Sequence, residues 1–457
     1  MTAPPAVALL DMDIRSPESS TRGERIDCYA LPDTDLSRFD LLVVGATADQ
    51  EFLARHRHVV ERFLDGGGVL HFGGQLHRDW LPGASPFVPL PRPGLAAYQV
   101  AEVAQHPIFG GVEAGDLTFR RGVAGFFARG HHPPPEGAEV LVRLAGGEPA
   151  TYVDRVSTRG TIVVHASGEL LGLGEHNGTG ARVPDQLVAW AREEAASRRA
   201  GRDDTARRAA PDDTARRAAP DDTAWRAGAA AGTALRGTPP PPVRDPEQPL
   251  RGLAAVYGGG AAHHRALTVA KYARHLTGGL VYLPDLATTD LTGLDGLILP
   301  ERMHRGRLTE AAPRILELLD AGGTVVAFAG GEPIPEFLPG VRWEHRPTNY
   351  WWWIDPDSRL VLSSPSPDHE LFDRLTLRDC TWHFHGALDP PPGAEVLVTL
   401  PTGEALLYVD RVSTPGTLVV ATLDPLHHFG SHFMPATERF LDGFLPWLGQ
   451  ATQRVSR

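Results

Sequence analysis

The sequence predicts an α/β protein of two tandem domains, each a mainly parallel sheet with helices on both faces and an antiparallel hairpin late in the domain. Three observations carry that expectation. Tyr152-Val-Asp-Arg-Val-Ser-Thr158 recurs 256 positions later as Tyr408-Val-Asp-Arg-Val-Ser-Thr414. Within each half, short apolar runs alternate with segments of helical periodicity, the pattern of strand-helix-strand units. Between the halves lies a biased stretch in which Asp-Asp-Thr-Ala-Arg-Arg-Ala-Ala-Pro starts at Asp203, repeats at Asp212 and decays after Asp221.

In the first half, Leu41 to Val44 and Val69 to Phe72 are continuous apolar runs and read as buried strands. Between them Phe52, His56, Val59, Val60, Phe63 and Leu64 recur at helical spacing, and Gly66 to Gly68 end the helix. The second half repeats this as Leu297 to Leu299, a helix near Thr309 to Leu319 closed by Gly322 and Gly323, and Thr324 to Phe328. Late hairpins follow, Tyr152 to Val156 with Thr161 to His165 and Leu406 to Val412 with Thr417 to Ala421. Pro415-Gly416 suits the centre of a type II turn. A final amphipathic helix in each half ends near Trp190 and Trp447. The predicted boundaries are a domain over 1–197, a linker over 198–249 and a domain over 250–457. The linker offers no apolar face and reads as disordered. Its ten arginines stand beside eight acids, which favours a solvated tether over a nucleic-acid tail.

The chain has 457 residues, 42% apolar and 22% charged, enough to bury two cores. A net charge of -12 opposes attraction to nucleic-acid phosphate or an anionic lipid surface, so neither is expected as a partner. Cys28 and Cys380 are too few for a disulfide framework. With no signal peptide or long apolar span in the sequence, a cytoplasmic protein is expected. The two halves are expected to pack together as a pseudo-dimer.

In open parallel sheets ligands sit beyond the carboxyl ends of the strands. In the second half those positions hold Gly258, Gly259, His263 and His264, then Glu301, Arg302 and His304, then Gly330, Gly331 and Glu332, then Asp424, His427, His428 and His432. The first half has Leu171 and Gly172 where the second has His427 and His428, so function is expected in the second half. Trp382-His-Phe-His385 adds His383 and His385 on one side of an extended segment. Imidazoles with a carboxylate suit a divalent metal or a general base, and drift in surface loops is the structural alternative. Candidate catalytic residues are His427 and His428. Candidate ligand-binding residues are Gly258, Gly259, His263, Glu301, Gly330, Gly331, Trp382, His383, His385, Asp424 and His432. Tyr350-Trp-Trp-Trp353 suits either a sugar platform or a half-buried strand edge.

Asp40-Leu-Leu-Val-Val, Asp65-Gly-Gly-Gly-Val-Leu-His-Phe-Gly-Gly and His106-Pro-Ile-Phe-Gly-Gly, followed by the closing hairpin, resemble the class I glutamine amidotransferase-like superfamily, in particular its trehalose-utilisation (ThuA-like) branch. The resemblance implies two flavodoxin-like domains. It also implies a nucleophile elbow after the third strand, where family members with glutaminase activity carry cysteine. Here the elbows read Gly73-Gly74-Gln75 and Ala329-Gly330-Gly331, so no thioester to glutamine is expected. The expected function is binding of a small metabolite, with carbohydrate suggested by the resemblance and the tryptophans. A hydrolase or isomerase using His427 or His428, with or without a divalent metal, and a structural subunit are the other readings.

Overall fold

The computed structural model describes residues 6–14, 22–119, 124–175, 178–209, 250–330, 334–346, 357, 359–382, 384–432 and 434–455. Contacts divide the chain into two compact units, 1–11 with 18–239 and 12–17 with 240–457. Among the described residues no helix is long and apolar enough to cross a membrane.

The first unit holds an eight-stranded sheet in the order Glu24–Asp27, Val7–Asp11, Leu41–Val44, Val69–Gly73, Thr161–His165, Pro149–Asp154, Glu139–Leu144, Val100–Val103. The first five strands are parallel and the rest antiparallel. The second unit repeats this as Gly279–Tyr282, Gly252–Tyr257, Leu294–Leu299, Thr324–Phe328, Thr417–Ala421 and Ala405–Asp410. Both Gly386–Leu388 and Glu395–Thr399 pair with Ala405–Asp410. Tyr152 stands opposite Val164 as Tyr408 stands opposite Val420, and the register shift at Val140/Val142 recurs at Val396/Val398. The internal repeat in sequence is thus a repeat in register.

Strand pleating explains the two cores of the second unit. Leu253, Ala255, Ile298 and Val326 point to one face, where Phe440, Leu441, Phe444 and Leu448 of the helix Pro435–Val455 cover them. Ala254, Val256, Leu297, Leu299, Val325 and Ala327 point to the other, against Ile315, Leu318 and Leu319 of the helix Ala312–Asp320. Both faces are covered, which is why these strands read as unbroken apolar runs.

Two expectations are corrected. Arg198 does not begin a linker: the helix Val183–Ala209 continues through it. Arg198 donates to Thr161 and Glu194, and Arg199 pairs with Asp40 and donates to the Phe39 carbonyl, so these residues are anchored to the first unit. Residues 210–249, the rest of the expected linker, lie outside the described residues. Nor does Pro415-Gly416 form a type II turn, since Gly416 does not adopt the positive φ that turn requires. Asp410 organises the loop instead, accepting from the backbone N–H groups of Val412 and Ser413 as Asp154 does from Val156 and Ser157.

Gly416 is needed for close approach. A Cβ there would lie 2.7 Å from the Leu319 carbonyl oxygen and closer still to that of Gly323, and Gly160 meets Leu64 and Gly68 in the same way. Gly416→Ala is expected to destabilise the second unit by about 1–3 kcal/mol through this backbone clash. An unchanged urea midpoint would show that the helix end moves aside freely.

Candidate functional site

The polar groups of the second unit gather at the carboxyl ends of its parallel strands. Strand order reverses direction between Gly252–Tyr257 and Leu294–Leu299, where the crevice of such a sheet opens. Three segments meet there. The helix Ala261–Thr268 follows the first strand, Glu301 and Arg302 follow the second, and the helix Pro425–Gly430 follows the closing strand Thr417–Ala421. Gly430 lets the two helices touch, because a Cβ there would collide with the Ala262 backbone.

Asp424 is the centre. It is fully buried, at the N-cap of the helix Pro425–Gly430. Its Oδ2 lies 3.0 Å from His428 Nε2, 3.5 Å from His385 Nε2 and 3.6 Å from an Arg302 guanidinium nitrogen. Trp382 Nε1–H donates to Oδ1 at 3.4 Å. Burial alone would raise the Asp424 carboxyl, but the charge of His428 and the hydrogen bonds from His385 and His428 outweigh it and hold the group well below the usual carboxylate range. Burial pushes His428 below the ordinary histidine value, with Asp424 pulling the other way. At neutral pH the site therefore presents a carboxylate beside a neutral His428 imidazole that can donate or accept.

Glu301 follows the strand Leu294–Leu299. It is buried, and its Oε1 accepts from the backbone N–H of His427, one of the N–H groups that the first turn of a helix leaves without an intrahelical partner. The His263 ring donates to the Glu301 backbone carbonyl, and burial followed by the nearby Arg302 charge pushes His263 down to about 4. Burial, then Arg302 and His428, likewise hold the partly buried His427 well below its ordinary value. Arg302 takes a left-handed backbone, φ 58°, which costs a bulky residue energy and directs its side chain to Asp424.

Of the residues expected from sequence, His263, Glu301, His385, Asp424, His427 and His428 come together. Trp382 is corrected: its ring packs edge-on against Phe440 in the core and offers no face to a ligand, so it positions Asp424. Gly258 is a packing glycine whose Cβ would meet Met303 Sδ at 2.9 Å, and Gly259 supplies a positive φ. His432, with φ 61°, closes the turn after the helix, its N–H bonded to Phe429. Gly330 is buried just past Ala329, which bonds to Ala421. His304 caps the helix Arg305–Glu310, its Nδ1 accepting from Arg307. Gly331, His383 and the run Tyr350–Trp353 lie outside the described residues. Arg302, one of the polar groups that the sequence places after the second strand but not one of the candidate binding residues, joins the site through Asp424.

The first unit lacks this site. Strand registers put Ala46 and Thr47 where the second unit has Glu301 and Arg302, and Gly168 and Gly172 where it has Asp424 and His428. Leu170 and Leu171 are buried there in the core. His106 is structural, its Nδ1 accepting from Ile108 at the start of Pro107–Phe109.

No family model matches the chain and no curated protein matches it. Among solved structures it is similar to a beta-galactosidase from the psychrophilic Marinomonas ef1, at 13% identity and a TM-score of 0.22 over 85% of this chain. The chain spans 58% of the length of that structure.

Proposed function

We propose that this is a non-glutaminase protein of the amidotransferase-like superfamily, ThuA-like branch, whose second unit binds a small hydroxyl-rich metabolite, a carbohydrate or its derivative. The observation that carries the reading is the convergence of His385, Asp424, His428, Glu301 and Arg302 at the end of a parallel sheet. Such a set offers a carboxylate, a guanidinium and imidazoles, which together match the donors and acceptors of a polyol. The parallel strand order supports a flavodoxin-like core for each unit. The thiols support the absence of glutaminase chemistry. Cys28 and Cys380 are buried, and burial pushes both well above the ordinary thiol value, away from a reactive thiolate.

The test is thermal stabilisation of the full chain by a panel of mono- and disaccharides and sugar acids. At about 100 times Kd a ligand adds about 2.7 kcal/mol, a shift of several degrees. The shift is expected to vanish in Arg302→Gln. No shift with any hydroxylic compound, or a shift that survives Arg302→Gln, would count against this site. Ammonia release from glutamine is expected to be absent.

A further inference from the structure

We propose that His385 Nε2, Asp424 Oδ2 and His428 Nε2 form a three-ligand site for a divalent transition metal of the zinc type, with a coordination position left for water or a substrate oxygen. The proposal rests on the same cluster as the metabolite reading and specifies its chemistry. The three atoms lie within 4.8 Å of one another, with separations of 3.0 and 3.5 Å from the carboxylate oxygen to the two imidazole nitrogens. Zinc bonds to nitrogen and oxygen are about 2.0–2.2 Å, so two ligands on one ion stand about 3.0–3.5 Å apart between right-angle and tetrahedral geometry. The observed spacings fall in that interval without any movement of the backbone.

The donor set selects the ion. Two imidazoles with one carboxylate favour zinc, cobalt or iron(II) over magnesium and calcium, which take oxygen ligands. The framework is held from behind. Asp424 Oδ1 is engaged by Trp382, which leaves Oδ2 as the oxygen facing both imidazoles. His428 is fixed on the helix four residues after Asp424, while His385 arrives from the segment before the strand Gly386–Leu388. With both Nε2 atoms ligating, the imidazole protons reside on Nδ1.

Arg302 makes the proposal specific. Its guanidinium, 3.6 Å from Asp424 Oδ2, competes with a metal for the same oxygen and repels it. The Glu301 carboxylate, His263 and His427 are further titratable groups beside Arg302 and the helix that carries His428. Substitution of Arg302 by a neutral residue is therefore expected to tighten metal binding, whereas loss of a ligand weakens it.

The experiment uses the full chain stripped with a chelator and titrated with cobalt(II), then zinc(II), monitored by cobalt d–d absorption and calorimetry. The expected result is one equivalent bound, with absorption in the range of four- or five-coordinate cobalt. His385→Ala, whose side chain is partly exposed, and the milder His385→Gln are each expected to weaken binding at least about 100-fold, more than loss of an outer partner costs. Arg302→Gln is expected to strengthen it, and His345→Ala, on an exposed strand edge, to leave it unchanged. Circular dichroism confirms that each variant is folded. Absence of cobalt binding, or binding indifferent to both His385 variants, overturns the proposal. Saccharide stabilisation of the stripped chain would then leave the metabolite reading standing, whereas metal binding with no saccharide response would remove that reading and keep the metal.

Discussion

Acidification from pH 7 to pH 4 is expected to cost the first unit about 3 kcal/mol through one residue, His71. Its ring is fully buried in the strand Val69–Gly73, between two partners that fix its tautomer. Nδ1 lies 3.1 Å from the Val163 carbonyl and must donate to it, and Nε2 accepts from the Leu170 backbone N–H at 2.8 Å. A proton on Nε2 would face that N–H, so the folded chain has no place for the imidazolium. Burial, only partly offset by the bond to Val163, holds His71 at about 4 against an ordinary value of 6.5. Above pH 6.5 the ring is neutral both folded and unfolded, and stability does not depend on it. Below pH 6.5 the unfolded ring takes a proton that the folded ring refuses, so stability falls until the pH reaches about 4. Across that window of about 2.5 pH units the loss is about 3 kcal/mol, at 1.36 kcal/mol per unit. Denaturant unfolding with hydrogen exchange read at Val69–Gly73 checks it in the wild type and His71→Gln, which keeps a donor and an acceptor but does not titrate. Equal pH slopes in the two proteins between pH 6.5 and 4 would refute the assignment.

His71 also shows where sequence reading reaches its limit. The strand around it is evident as Val-Leu-His-Phe between glycines, because both faces of a central parallel strand are buried and the apolar run is continuous. What the histidine does depends on Val163 and Leu170, about 100 residues away, and no local pattern carries that information. The edge strands Glu24–Asp27 and Gly279–Tyr282 escape for a related reason: they are short and largely unburied, so neither alternation nor an apolar run marks them. In the second unit the rule that ligands gather after strands finds Glu301, Asp424, His427 and His428. The separate segment Trp382-His-Phe-His385 offers a tryptophan whose indole is spent on the core, and the strand-end rule does not show that His427 contributes its backbone N–H to Glu301. Both are settled by packing between segments more than 40 residues apart.

Asp424→Ala is expected to be the most damaging single change in the second unit, at about 3–5 kcal/mol, because it leaves buried cationic and polar partners without their anion. Arg302, His385 and His428 all face the lost oxygen, and the Trp382 N–H loses its acceptor. Asp424→Asn is expected to cost less, since the amide oxygen can still accept from Trp382 while the charge is gone. The pH dependence separates a charge effect from a packing effect. Asp424 is held well below its ordinary 3.8, burial working against and His428 and His385 in favour of the charged form. Its contribution is therefore present above pH 4 and fades as the pH falls below it, through the protonation of the folded carboxyl. The stability gap between wild type and Asp424→Asn is accordingly expected to persist down to about pH 4 and to narrow below it, as the folded carboxyl takes a proton. A double-mutant cycle with Arg302→Gln supplies the second measurement. Groups 3.6 Å apart in a buried network are expected to couple by about 0.5–3 kcal/mol, so the double variant should be more stable than the summed losses imply. A pH-independent gap together with additive losses would mean that Asp424 acts by shape alone, and that the electrostatic core of the site lies elsewhere.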